Sequence, residues 1–586
     1  MYEKKPWLKF YGDVPHEIKI PELSMYECVA LAVADFYDKT AYDFMGSKVT
    51  YFEFKKQIDE CADALVALGL KKGDRVTISM PTSPPGIVCF YAVNKIGAIA
   101  SMIHPLSTES EIEFYLKVSK SKMALTMDMW LDTFKPAAER AGIEKLLICK
   151  MQDYLPKHLA GLYWLKAGRK NPSIPRNDPM IVDWKKFVMQ TDHPRVLRAE
   201  VDSHDLAVIL YSGGTTGMPK GIMLSNRNFV AEGLMCANWV GMNPEVSDVL
   251  AMLPIFHGFG LGVCVNTVLS NGGKSILVPM FEADMAAKMI KKKPNFIIGV
   301  PTLYEALTQN EKFQNSDLSC LYACFSGADT LSRNTKERFE GTVERQGGKD
   351  VKLLEGYGLT EAVTAIMAMP VGEYREGSIG IPFPNMMAKI VVKETTEEAP
   401  VGEEGEICLY GPAVMMGYLD QPEETAAVLK KHDDGLVWLH TGDIATMDAD
   451  GFFYFKLREK RMIKSSGMNV YPAQVEEQLF KHEAIAECCV IGVPDKQQVE
   501  KVKAFIALKD ASMGSPELEK EIIDHCRKDL IKWSCPREIE FIDEIPKTKV
   551  GKIAFNELEK MEIERLRAEG KYTGEEEAVA ESSVVS

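Results

Sequence analysis

What most constrains the fold of this chain is a succession of short apolar runs separated by charged helical stretches. Residues 275–278 form one such run, closed by Pro279, and a charged helical stretch follows over 282–293. The next run, 296–300, is stopped by Pro301, and after a further helix comes the run 321–325. Strand, helix, strand, helix, strand in this order reads as a parallel sheet with crossover helices. Upstream, residues 75–80 alternate Val76, Ile78 and Met80, the pattern of a half-buried strand. At 586 residues the chain is too long for one hydrophobic core, so at least two domains are expected. Past Pro384 the patterning turns β-rich, with short strands expected over 389–392 and 406–410. A new unit opens near Met462. There 475–480 reads as helix, 487–493 as strand, and Ser515-Pro516 starts a helix through Leu518, Ile522 and Cys526.

The net charge of −15 argues against nucleic acid as a partner, because that partner needs a basic surface. Anions must instead be handled locally, by loops and single cations. No stretch reaches the ~18 consecutive apolar residues of a membrane span. The start, MYEKKPWLKF, lacks the apolar segment of a secretory signal. Thirteen cysteines are scattered without a C-x-x-C pair, and neither Cys320 with Cys324 nor the adjacent Cys488 and Cys489 has zinc-ligand spacing. They read as buried, reduced thiols of a cytoplasmic protein. Residues 157–195 show no clear period and read as a long, solvated surface excursion, although its stretch LYWLKAGRK has the basic and aromatic composition that suits peripheral contact with a membrane. The acidic, small-residue tail over 571–586 has little to bury and is expected to be disordered.

The most informative segment is YSGGTTGMPKG at 211–221. Four glycines and three Ser or Thr residues occupy eleven positions, and the strand-like run 207–210 leads directly into them. Glycines 213, 214 and 217 let backbone N–H groups wrap phosphate oxygens. Ser212, Thr215 and Thr216 add hydroxyl donors, and Lys220 adds charge. This is not a Walker A loop, since Lys220 is followed by Gly221 rather than Ser or Thr. A decoy at 272–275, GGKS, fails because Val268 stands where that pattern needs glycine.

The segment resembles the phosphate loop of the adenylate-forming superfamily of acyl-CoA synthetases, luciferases and nonribosomal-peptide adenylation domains. Further segments resemble that family's motifs in the same order. PIFHG at 254–258 is similar to the segment whose ring, here His257, gates the carboxylate pocket. SGAD at 326–329 is similar to the loop along the adenine, bringing Gly327, Ala328 and Asp329. In GYGLTEA at 356–362 the resemblance puts Tyr357 and Gly358 against the adenine, Thr360 on the α-phosphate and Glu361 on magnesium, with Thr216 as a second magnesium-site residue. The roles suit the side chains: an aromatic face stacks, and a carboxylate is a hard ligand. TGD at 441–443 resembles the ribose site, with Asp443 accepting from the ribose hydroxyls. KLREKRMIKSSGMNVYP at 456–472 resembles the inter-domain hinge, with Arg458 reaching the ribose, Lys460 as the hinge residue and Gly467 beside the CoA thiol arm. Leu457 and Arg461 depart from the glycine and acidic residue of many relatives. PKTKVGKI at 546–553 resembles the C-terminal catalytic loop, with Lys552 bridging the substrate carboxylate and the α-phosphate.

The resemblance implies an α/β and α+β multidomain chain: a large N-terminal domain of two α/β layers plus a β-barrel-like part, and a small C-terminal α+β domain. Its expected boundaries are 1–456 for the ATP and carboxylate sites, 457–461 for the hinge and 462–570 for the mobile domain. The implied enzyme is an AMP-forming acid–thiol ligase using ATP, Mg2+ and CoA as co-substrate. Its partner would be a small-molecule carboxylic acid. The string IFHGFGLGVCV carries no acidic residue to pair an amino group, which favours an uncharged acyl chain, and the motifs are most similar to medium- and long-chain fatty acyl-CoA ligases. Aryl-CoA ligases share every motif. A CoA-independent acyl-AMP ligase, a non-enzymatic nucleotide- or acyl-binding regulator and a phosphotransferase are the other readings. Acyl chain length and oligomeric state are not legible in the sequence.

Overall fold

The computed structural model describes residues 4–190, 193–197, 199–212, 219–329, 331–458, 461, 463–465, 468–470, 472–495, 499–528, 530, 534–548 and 553–569. Among them the strands form four sheets. One sheet has nine strands, and its central part, Ala323–Ser326, Phe296–Gly299, Asp248–Ala251 and Lys274–Leu277, is parallel throughout. The apolar runs at 275–278 and 296–300 are therefore in one parallel sheet, but they are not neighbours. Asp248–Ala251 lies between them. Its apolar run, 249–253 closed by Pro254, has the same form as the other two.

The second sheet has eight strands, with the parallel set Ile99–Met102, Arg75–Ile78, Met123–Met127 and Lys145–Cys149 at its centre. Helix Pro84–Ile96 has every residue buried, so it has no solvent face to make polar. A Cβ at Gly86 would lie 2.6 Å from Ile255 Cδ1, which shows how tightly that helix is enclosed. Helix Asn226–Trp239 is also largely buried. It starts from a capping box in which Ser225 accepts from Asn228 N and Asn228 reaches back to Ser225 N.

A third sheet, built on Met387–Val391, Gly405–Tyr410 and Val437–Met447, supplies the barrel-like part. The fourth belongs to the C-terminal α+β unit, where Ile485–Asp495 and Val499–Leu508 pair antiparallel along their length. No buried apolar cluster among the described residues mixes residues up to Tyr454 with those from Ile463 onward. All thirteen cysteines are free. Cys488 and Cys489 alternate across their strand, one into each of two C-terminal cores.

Two expectations need correction or limits. The 157–195 excursion is not a structureless loop. It holds helix Lys157–Lys166, strand Ile181–Asp183 paired parallel to Lys145–Cys149, and helix Trp184–Val188. Its elements are short and Pro-punctuated, which hides their period. The tail at 571–586 lies outside the described residues. No helix among the described residues is long and apolar enough to cross a membrane.

Candidate active site

Strand Leu206–Ser212 turns back on Lys220–Ser225 with Tyr211 opposite Gly221 and Ser212 opposite Lys220. The two strands that flank the glycine-rich segment are thus antiparallel neighbours. The segment's residues Gly213, Gly214, Thr215, Thr216 and Gly217 lie outside the described set, but both strands line one cavity. Lys220 Nζ pairs with Glu424 at 2.5 Å and sits 4.9 Å over the Tyr418 ring. Tyr418 in turn donates to Glu361 Oε1 at 3.0 Å. Lysine, tyrosine and the proposed magnesium-site carboxylate therefore form one connected group. Glu361 is a hard oxygen donor of the kind magnesium takes, and it lines the cavity beside the strand pair.

Strand Leu353–Gly358 delivers Tyr357 and Gly358, and the 3-10 turn Thr360–Ala362 delivers Thr360 and Glu361. Behind them Val363 takes φ 62°, rare for a β-branched residue, and Thr364 N donates to Ala362 O at 2.7 Å across it. Close packing holds this tight turn. A Cβ at Gly258 would lie 2.0 Å from Val363 O, and one at Gly358 would lie 1.3 Å from Thr364 O. The segment carrying His257 is thus locked directly against the turn carrying Thr360. His257 lines the cavity, and its Nδ1 accepts from Phe259 N at 3.2 Å as the π-helix Phe259–Thr267 begins. Glu232 completes the support. It is wholly buried, accepts from Ala365 N at 3.0 Å with one oxygen, and has no partner for the other. Burial pushes its carboxyl well above the ordinary range, which disfavours its charged form.

Ser326 and Gly327 face the same cavity, and Ala328 takes φ 72°. A Cβ at Gly327 would stand 3.2 Å from Gly356 O, so the SGAD loop and the GYG strand touch edge to edge. Asp443 is buried, and Tyr357 donates to its Oδ2 at 2.7 Å. Asp443 pairs with Arg458 across the antiparallel strands, which puts the two Cα positions side by side. Beneath Gly442, Glu406 accepts from Gly442 N at 2.8 Å and from His440 Nδ1 at 2.7 Å, while His440 Nε2 meets His432 Nε2 at 2.9 Å. Burial opposes charge on Glu406, but the His440 and Gly442 hydrogen bonds overcome it and hold the carboxylate below its usual value. Burial, with Lys389 and His440 nearby, lowers His432 to about 4.

The C-terminal unit reaches the same cavity through Thr548 and through Ile553, Ala554 and Phe555. These flank Lys552, which itself lies outside the described residues, as do Lys460 and Gly467. Arg461 is described. It pairs with Glu476 and stacks 4.9 Å from the Phe555 ring, and Asp329 of the SGAD loop adds to the field that holds its charge.

The cavity has a volume of about 1000 Å3. Beyond His257 it runs between helix Asn226–Trp239 and the nine-stranded sheet, past Trp239, Met242, Val249, Phe296, Ile298 and Phe325. These wall residues, with Tyr418, Glu424 and Glu232, were not picked out from the sequence. A Gly417-Tyr418 pair just before the helix opening at Pro422 was the available signal for Tyr418. The wall residues read only as core.

A chain whose antiparallel strand pair, SGAD loop and TGD segment converge on one cavity has the architecture of an adenylate-forming ligase. It belongs to the AMP-binding enzyme family. That family's model matches residues 29–419, and the model of the AMP-binding enzyme C-terminal domain matches 474–552. These enzymes are AMP-forming acid–thiol ligases. A long-chain-fatty-acid–CoA ligase of Bacillus subtilis (strain 168) is 38% identical, covering 96% of this chain and 99% of its own. A feruloyl-CoA synthase of an Amycolatopsis species is 31% identical, over 89% and 95%. Among solved structures, ATP-bound MatB from Rhodopseudomonas palustris superposes with a TM-score of 0.79 at 25% identity, over 92% of this chain and 99% of that one.

Proposed function

We propose that this chain is a fatty acyl-CoA ligase. It would join a fatty acid to ATP, giving acyl-AMP and pyrophosphate, and then pass the acyl group to CoA, releasing AMP. The observation that carries the reading is the apolar lobe beyond His257, whose six named wall residues bear no charge and which opens into the nucleotide side of the same cavity. An uncharged chain buried there gains roughly 0.8 kcal/mol per methylene. The long-chain ligase similarity over nearly the whole chain points the same way.

In this reading Ser212, Lys220 and the glycine-rich residues between them hold the β- and γ-phosphates, and Tyr357, Gly327 and Ala328 sandwich the adenine. Asp443, oriented by Tyr357, takes the ribose hydroxyls with Arg458. Thr360 donates to the α-phosphate. Glu361, with Thr216, would hold magnesium, which supplies charge neutralisation to the phosphates. Lys552 stabilises negative charge as the carboxylate attacks the α-phosphorus. The C-terminal unit then turns about Lys460, withdrawing Lys552 and presenting Gly467 to the CoA arm, so that one cavity serves both steps. The rings of Trp239, Phe296 and Phe325 also suit an aryl acid, and the feruloyl-CoA synthase similarity gives that second reading its support.

Mass-spectrometric product analysis with MgATP and a panel of fatty, aromatic and amino acids, with and without CoA, tests the reading. Acyl-CoA and AMP from fatty acids alone are expected. Turnover confined to aromatic acids would move the chain to the second reading. Acyl-AMP accumulating regardless of CoA, or ADP as product, would refute both.

A further inference from the structure

The 157–195 excursion has no part in the chemistry above, and its first element is unusual. Along helix Lys157–Lys166, Leu159, Ala160 and Tyr163 are half-buried against the protein, yet Leu162, Trp164 and Leu165 face outward at 48%, 50% and 55% exposure. At 100° per residue those outward side chains share one half of the helix with Gly161, Lys157 and the exposed His158. A surface helix normally turns a polar face to water. Here two leucines and a tryptophan stand out among Lys157 and His158, an amphipathic mixture on the solvent side that marks a face something covers.

Charge says what covers it. Lys157, Lys166, Arg169, Lys170 and Arg176 are all exposed, and no Asp or Glu occurs from 154 through 177, in a chain of net charge −15. Some exposed cations elsewhere pair with carboxylates, as Lys117 does with Glu113 and Arg140 with Glu109 and Glu113. None of these five pairs with a described residue. The platform beneath is fixed. Met151, Tyr154 and Leu155 pack on the main core, Asn171 Nδ2 donates to Asp128 Oδ1 at 3.1 Å, and strand Ile181–Asp183 joins the eight-stranded sheet. A second copy of the chain would set five cations against five, and a nucleic acid would leave the leucines and the tryptophan unexplained.

We propose that the outward face of this helix and the Gly168–Lys170 turn after it form a docking surface for an anionic lipid bilayer, the leucines and tryptophan entering the acyl boundary and the cations lying among the headgroups. The proposal does not rest on the ligase reading, since lipid binding is read without substrate.

Cosedimentation of the full chain with vesicles tests it, using phosphatidylcholine alone and phosphatidylcholine mixed with phosphatidylglycerol. Binding to the mixed vesicles and not the neutral ones is expected, weakening as salt is raised. Charge reversal (Lys166→Glu, Arg169→Glu, Lys170→Glu) and polar replacement (Leu162→Ser, Trp164→Ser, Leu165→Ser) should each lower the partition coefficient by about tenfold or more. All six sites are exposed, so unfolding temperature and turnover of a short, water-soluble acid should stay unchanged. Absence of the wild-type chain from the mixed-vesicle pellet overturns the proposal. So does equal pelleting of wild type and both variants, or a concentration-dependent dimer abolished by the serine variant without any lipid binding.

Discussion

Replacing Gly358 with alanine tests whether the tight turn behind Thr360 and Glu361 sets the geometry of adenylation. Gly358 does not need a positive φ, so the argument is one of space alone. A Cβ there would lie 1.3 Å from Thr364 O and 2.4 Å from Thr364 C, both backbone atoms that cannot rotate away. Carbon–oxygen contacts of this kind settle at about 3.3 Å, so the turn must retreat by roughly 2 Å. Misplacing reacting groups by about 1 Å costs on the order of 10²-fold in rate. Adenylation should therefore fall by about 10² or more, equivalent to at least about 2.7 kcal/mol of transition-state stabilisation. Overpacking should also remove about 1–3 kcal/mol of stability. Pyrophosphate release with saturating acid measures the first effect and thermal unfolding the second. Gly372→Ala is the control, since a Cβ there meets nothing within 4 Å and should leave both readouts unchanged. Pyrophosphate release within threefold of wild type in Gly358→Ala, with an unchanged unfolding temperature, would refute the claim that the turn is sterically locked.

Tyr357→Phe keeps the stacking ring but removes the 2.7 Å hydrogen bond that orients Asp443. KM for ATP should rise by roughly 3- to 10-fold with kcat within about twofold, as one hydrogen bond predicts. A fall in kcat with KM unchanged would count against it. Lys552→Ala should slow adenylation by roughly 10² or more, while thioester formation from supplied acyl-adenylate changes little. Equal losses in both half-reactions would show that the lysine has another role. His432, lowered to about 4, favours its neutral form when folded, while the unfolded chain takes up a proton near the ordinary histidine value of about 6.5. The unfolded state binds more protons between those values, so this contribution to stability is present above pH ~6.5 and is lost as pH falls toward 4. His432→Gln should flatten the dependence of unfolding temperature on pH in that window. Identical slopes for both proteins would exclude the mechanism.

The parts of the site that could be read from the chain are those where backbone does the work. Glycine at 258 and 358 leaves a mark in sequence because any side chain would collide with neighbouring backbone, and at 327 because it would crowd Gly356 O and the Phe259 ring, while the Ser, Thr and Asp residues beside them advertise oxygen-rich ligands. Residues that act by meeting a distant element leave no such mark. Tyr418 and Glu424 join the strand pair only because Gly417–Tyr418 pairs with Lys220–Ser225. Glu232 sits in the string EGLMCANW, where a glutamate ordinarily signals a solvent face. Only the enclosure of its helix, and the approach of Gly262, whose Cβ would stand 2.2 Å from Glu232 Oε2, turn it into an internal support. Arg461 carries the same lesson for the hinge. Judged by position it replaced an expected acidic residue, and its effect could not be read from sequence. Its guanidinium is folded back on Glu476 and the Phe555 ring of the C-terminal unit, with Asp329 of the adenine loop adding to its field. The two groups it touches, Glu476 and Phe555, are 15 and 94 residues away in sequence, so nothing local to position 461 announces them.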